Sequence, residues 1–205
     1  MSFPAFFAEI PGITLRDPLA ELLGAADGGL IEFAFADAVK LAGHSCPTVA
    51  GAWLMTVRAM RALYGDEIPV RGQIAASMNE ALGTGVAGVI ASIATLLTGA
   101  AGEGGFKGLG GQYSRRNLLH FGVSGVAGLA FTRLDTNLTV DCVLRLNFVP
   151  ADPRMGQLLP AILQGNASSE EKRLFGQLWQ DRVRRILIEH GDDPALVDLR
   201  VVRPD

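Results

Sequence analysis

The sequence predicts an α+β fold in a single domain, with a mixed, mostly antiparallel sheet packed against long apolar helices. Three observations carry the prediction. The chain has 205 residues, 49% of them hydrophobic, enough for one well-buried core. An unbroken run from 47 to 64 repeats Val49, Trp53, Val57, Met60 and Leu63 at three- and four-residue spacing, the period of a helix. Between 138 and 148, Leu138, Val140, Cys142, Leu144, Leu146 and Phe148 alternate with Thr139, Asp141, Val143, Arg145 and Asn147. That two-residue period belongs to a half-buried strand and turns Cys142 toward the core.

The elements follow in order. Residues 1–29 form a lead-in that packs on the body, with Pro4, Pro11 and Pro18 and one short helix over 17–23. Asp17 is its N-cap, Pro18 takes the first helical position and Gly24 stops it. Residues 30–35 read as a short strand with Phe33 and Phe35 on one face, and 37–41 as a helical turn. The helix over 47–64 begins on Pro47, which costs nothing where the first N–H groups have no intrahelical partner, and stops at Gly65. A strand is expected over 68–78, a helix rich in small residues over 82–98, and a loop over the Gly-rich 102–111. A strand over 123–133 pairs with 138–148 through the turn at 134–137. Helices over 155–163 and 169–190 complete the chain, before a last strand near 196–202. The second helix opens with a Ser168/Glu171 capping box, carries a stripe from Leu174 to Leu187 and stops at Gly191. The core of the domain spans about 35–150, with 151–205 a helical extension.

A net charge of −3 leaves no basic footprint and excludes nucleic acid as the main partner. The cluster from Arg182 to Arg185 reads as a solvated face of the last long helix. Two cysteines do not make a secreted disulfide framework and fit a reducing cytoplasm, and the N-terminus lacks the features of a secretory signal. No charge falls between Glu80 and Glu103, a stretch long enough to span a bilayer. Its Gly, Ala, Ser and Thr content and missing aromatic belt make it a buried helix, not a membrane span.

The chemistry gathers at Gly43-His44-Ser45-Cys46-Pro47, where an imidazole and a thiol lie two residues apart at the mouth of the 47–64 helix. Both side chains are soft metal ligands, and the partial positive charge of the helix N-terminus favours the thiolate. The alternative is a backbone-bonded His44 and a small buried Cys46. A zinc site wants three or four protein ligands, and the further candidates are His120, Cys142, Glu80 and Asp141, with His190 too distal. No nucleophile elbow surrounds Ser45 or Ser114, and the Gly-rich loop lacks a phosphate-binding order, which leaves Lys107, Arg115 and Arg116 as surface charges.

Leu41-Ala42-Gly43-His44-Ser45-Cys46-Pro47 followed by Gly51 resembles the G-H-x-C-P-x(3)-G signature of the FmdE-like family of formylmethanofuran dehydrogenase proteins. The resemblance covers about 35–150, and this motif is its one sharp element. It implies an α+β domain with a mixed sheet, a homodimer, and a metal, zinc foremost, held by His44 and Cys46. The chain departs from the family where a T-G-C-T-x-G-K stretch is common, reading Thr98-Gly99-Ala100-Ala101-Gly102-Glu103-Gly104. Ala100 stands where a cysteine would add a ligand. His120 is the replacement, since the family brings a second segment toward the site there. Three readings result: a metal-binding domain using His44, Cys46 and His120, with an open position for catalysis or a small-molecule ligand; a haem or iron protein with Cys46, His44 or His120 as axial ligand; and a non-enzymatic dimeric scaffold joined along the 169–190 helix.

Overall fold

The computed structural model describes residues 3–203. Its centre is helix α3, Pro47–Tyr64, in which Val49, Ala50, Ala52, Trp53, Ala59 and Met60 are all at most 1% exposed. With Gly51, Leu54 and Met55 buried as well, the buried positions run right round the cylinder, which marks a core helix rather than an amphipathic surface one. The sheet beneath it follows the order β4 (Leu119–His120), β3 (Ile74–Met78), β5 (Leu129–Arg133), β6 (Thr139–Leu144), β7 (Val197–Val202). β3 and β4 run parallel and every other pair antiparallel, so the sheet is mixed. A separate antiparallel pair, β1 (Ile13–Arg16) and β2 (Leu30–Phe33), lies in the N-terminal part.

Strand register decides what faces α3. Met78, Leu129, Cys142 and Leu199 form one cross-strand row, and Ala76, Phe131, Val140 and Val201 the next. The Cys142 thiol reaches the Met55 carbonyl of α3 at 3.9 Å, so both rows belong to the inner face. The intervening row, His120, Ser77, Ala130, Asp141 and Arg200, points the other way, because successive side chains in a strand alternate between faces.

Helices α1 (Pro18–Leu22) and α2 (Phe35–Ala42) precede α3, and α4 (Ala87–Thr98) packs along it. Helices α5 (Met155–Leu163) and α6 (Ser169–Arg184) pack on each other, and a wider turn over Arg185–Glu189 buries Ile186 and Leu187. The expected caps are present: Asp17 accepts from the Leu19 and Ala20 N–H groups, and Ser168 and Glu171 form a capping box. Among the described residues no helix is long and apolar enough to cross a membrane.

Several elements are shorter than their patterns predict, each because another interaction claims the backbone. The strand expected over 68–78 begins at Ile74, since Pro69 and Arg71 pair with the end of β1 through Arg16 and Gly72 donates to the Thr98 carbonyl. The helix expected from 82 begins at Ala87, after a turn containing Gly85 at φ +50°. The 123–133 strand is limited to Leu129–Arg133, after Gly125 at φ +85°, and the 138–148 strand ends at Leu144, where 146–148 coil into a 3-10 turn. Phe35 does not share a strand face with Phe33 but opens α2, fully buried, with the Asp37 carboxylate accepting the Ala34 N–H. The last α-helix ends at Arg184, and the lead-in contains β1, which its pattern does not announce.

Two charge readings are also corrected. Arg115 is buried, 8% exposed, and paired with Asp17. The arginines near the end of α6 are not simply solvated: Arg182 donates to the carbonyls of Val149 at 2.8 Å and Leu146 at 2.9 Å, and Arg185 to that of Pro150 at 3.0 Å. They satisfy carbonyls of the irregular segment between β6 and α5.

Candidate functional site

Helix α2 ends at Gly43, which takes a left-handed conformation with φ 75° and turns the chain into the loop carrying the motif. His44 follows on the surface, its Nδ1 2.9 Å from the Ala42 carbonyl. A carbonyl only accepts, so Nδ1 is the donor in this contact, and in the neutral ring with that tautomer Nε2 keeps the lone pair. A backbone carbonyl holding the second ring nitrogen in this way is the usual support of a metal-binding imidazole.

Cys46 is the N-cap of α3, 8% exposed, and its Sγ accepts the Val49 N–H at 3.4 Å. That bond and the positive end of the α3 dipole set partial positive charge beside the sulfur. Between the two candidates, the Ser45 carbonyl accepts from Trp179 Nε1 at 2.9 Å and from Gln180 Nε2 at 3.2 Å. Helix α6 therefore clamps the loop from above. Ser45 Oγ and Gln180 Oε1 are buried without hydrogen-bond partners among the described residues.

Sequence spacing does not single out Trp179 or Gln180, although an indole N–H in an apolar stripe needs a partner and is a signal for the first of them. The structure does not bring His120 to this loop. It lies exposed on the sheet face opposite α3, in register with Ser77, whereas Cys46 caps α3 itself. Cys142 faces α3 but lies in a dry environment: burial first, then the neighbouring Asp141 charge, push its thiol up to about 12, with Arg58 opposing. Asp141 is occupied by the Ala127 and Gly128 N–H groups, and Glu80 is exposed at the rim of a cavity of about 280 Å³ that Cys142 also lines. His190 pairs with Asp193 at 3.3 Å. Ala100 is fully buried, its N–H bound to Thr98 Oγ1.

The donor set can be tested against the groups the motif suggests. Among the described residues no three His, Cys, Asp or Glu side chains come together as a metal-ligand group. One chain thus offers two candidate donors, His44 and Cys46, fewer than the three or four protein ligands that a zinc site wants. Haem fits less well. An apolar groove of about 730 Å³ runs along the outer side of α4, between Phe33, Leu41, Leu96, Leu119 and Phe121, and its walls contain no His, Cys or Met. None of the three candidate axial ligands reaches it.

No family model matches the sequence, and no curated protein matches it. Among solved structures, the chain is similar to a tungsten formylmethanofuran dehydrogenase FmdE-like protein from Syntrophus aciditrophicus, at 16% identity. The match covers 84% of this chain and 74% of that one, with a TM-score of 0.42. It is a likeness in the outline of the fold and assigns no residue or reaction to this chain.

Proposed function

We propose that the chain is a metal-binding protein in which His44 and Cys46 hold zinc or a similar soft divalent ion at an open site on the α2–α3 loop. The observation that carries this reading is the anchoring of His44 Nδ1 on the Ala42 carbonyl, which presents Nε2 as a ligand two residues from a helix-capping thiol. Imidazole and thiolate together suit zinc among the common divalent ions. The remaining positions fall to water, to a small molecule, or to a second copy. Two copies meeting at this loop would pool two imidazoles and two thiolates, a complete tetrahedral set, and the homodimer belongs to the same reading. A free thiol ligand also requires a reducing compartment, in keeping with the cytoplasm.

Elemental analysis of freshly purified protein, beside His44→Ala and Cys46→Ala, tests the proposal. Zinc near one equivalent per chain, or one half if two copies share it, should be lost in both variants while the fold survives. Equal metal content in all three proteins would overturn it.

A further inference from the structure

Asp17 ties three distant parts of the chain together. Its Oδ2 accepts from Arg71 Nη1 at 2.5 Å, and its Oδ1 from Arg115 Nη2 at 2.6 Å and from the backbone N–H groups of Leu19 and Ala20. Oδ1 thus takes three donors and Oδ2 one. Two guanidiniums against one carboxylate leave one net positive charge in a region that is largely dry: the side chains of Asp17, Arg115 and Arg71 are 6%, 9% and 19% exposed.

The surplus falls on Arg115. Its Nη1 is buried with no hydrogen-bond partner among the described residues. A buried charge without full compensation is expensive, so the surplus positive charge favours an anion held close to this pair of guanidiniums. Arg115 and Arg71 are also walls of a cavity of about 320 Å³, completed by Gln73, Gln112 and Tyr113. Both amides and the phenol can donate hydrogen bonds, and among these walls there is no carboxylate to repel an anion. At roughly 30 Å³ per water, the cavity holds a ligand of about ten heavy atoms.

We propose that this cavity is a binding site for a small oxyanion, the carboxylate of a compact organic acid or phosphate, received by the Arg115 guanidinium and oriented by Gln73, Gln112 and Tyr113. Guanidinium binds both oxyanions through paired N–H donors, and the dry setting strengthens the contact. The residues are separate from His44 and Cys46, so the site stands or falls independently of metal binding.

Calorimetric titration of the full-length protein with inorganic phosphate, and separately with malonate, succinate and benzoate, provides the test, at fixed ionic strength with chloride as the control. Saturable binding of phosphate or of a carboxylate is expected, and which arm responds identifies the source of the oxyanion. Gln112→Glu, on the exposed rim, should weaken that binding by roughly tenfold or more through like-charge repulsion while the unliganded melting temperature holds. Arg115→Lys keeps the charge but loses the planar fork and should also weaken it. No saturable binding in any arm, binding equal to that of chloride, or binding unchanged in Gln112→Glu would overturn the proposal.

Discussion

Trp179 donates its indole N–H to the Ser45 carbonyl at 2.9 Å, joining helix α6 to a loop 134 positions earlier in the chain. The bond fixes the middle residue of the His-Ser-Cys motif, so the placement of the His44 and Cys46 side chains depends on the C-terminal helices.

Trp179→Phe keeps most of the ring's packing and deletes the N–H. Thermal unfolding should show a loss of about 1 kcal/mol, the usual net value of one hydrogen bond. If His44 and Cys46 bind zinc, its affinity should fall in the same variant, although neither ligand has been touched.

The two thiols should react differently. Burial pushes Cys142 up to about 12 from an ordinary value of 9.0. A thiol with a raised folded-state pKa contributes stability that is complete below the ordinary value and is lost as pH rises toward 12. At pH 8 a disulfide reagent should modify Cys46 first and spare Cys142 until the protein unfolds. Added zinc should slow the reaction at Cys46, and Cys142→Ala should leave that rate unchanged.

Removing Asp17 should be among the most damaging single changes. Asp17→Ala leaves Arg71 and Arg115 facing one another without a counter-charge, and loss of one partner from a buried ion pair costs about 3–5 kcal/mol. Chemical denaturation should show the loss, and Asp17→Asn should recover only part of it, because the amide keeps an acceptor for the α1 cap but not the charge.

Gly99 closes α4 at φ 73°, and a Cβ there would stand 2.6 Å from Arg115 Nη1. Gly99→Ala should therefore cost about 1 kcal/mol for the left-handed backbone alone, and more through displacement of the guanidinium, read as a lower melting temperature. The same variant should weaken oxyanion binding at the neighbouring cavity.

Local periodicity and capping are what the sequence makes legible. The α3 helix shows its bounds because Pro47 and Gly65 flank an apolar run, and the α1 and α6 caps can be read from Asp17 and Ser168. Alternation overstates strand length wherever a glycine at positive φ or a carbonyl elsewhere in the chain redirects the backbone, as at Gly72 and Gly125. The His44 and Cys46 pair is visible because its members are two residues apart, while a role for His120 depends on which face of the sheet it occupies. That is a one-residue question of register, settled by the pairing of β4 with β3. Arg115 reads as a surface charge because its partner lies 98 positions away.

The Asp17 junction has a bearing on how the molecule comes apart. It closes contacts across 54 and 98 positions of chain, linking the entry of α1 to the start of β3 and to the loop behind α4. The N-terminal segment cannot peel away without stranding two cations in a dry interior. Opening there is coupled to opening of the body, so amide exchange in α1, a helix of five residues with no buried side chain of its own, should be as slow as its attachment and not as fast as its length suggests.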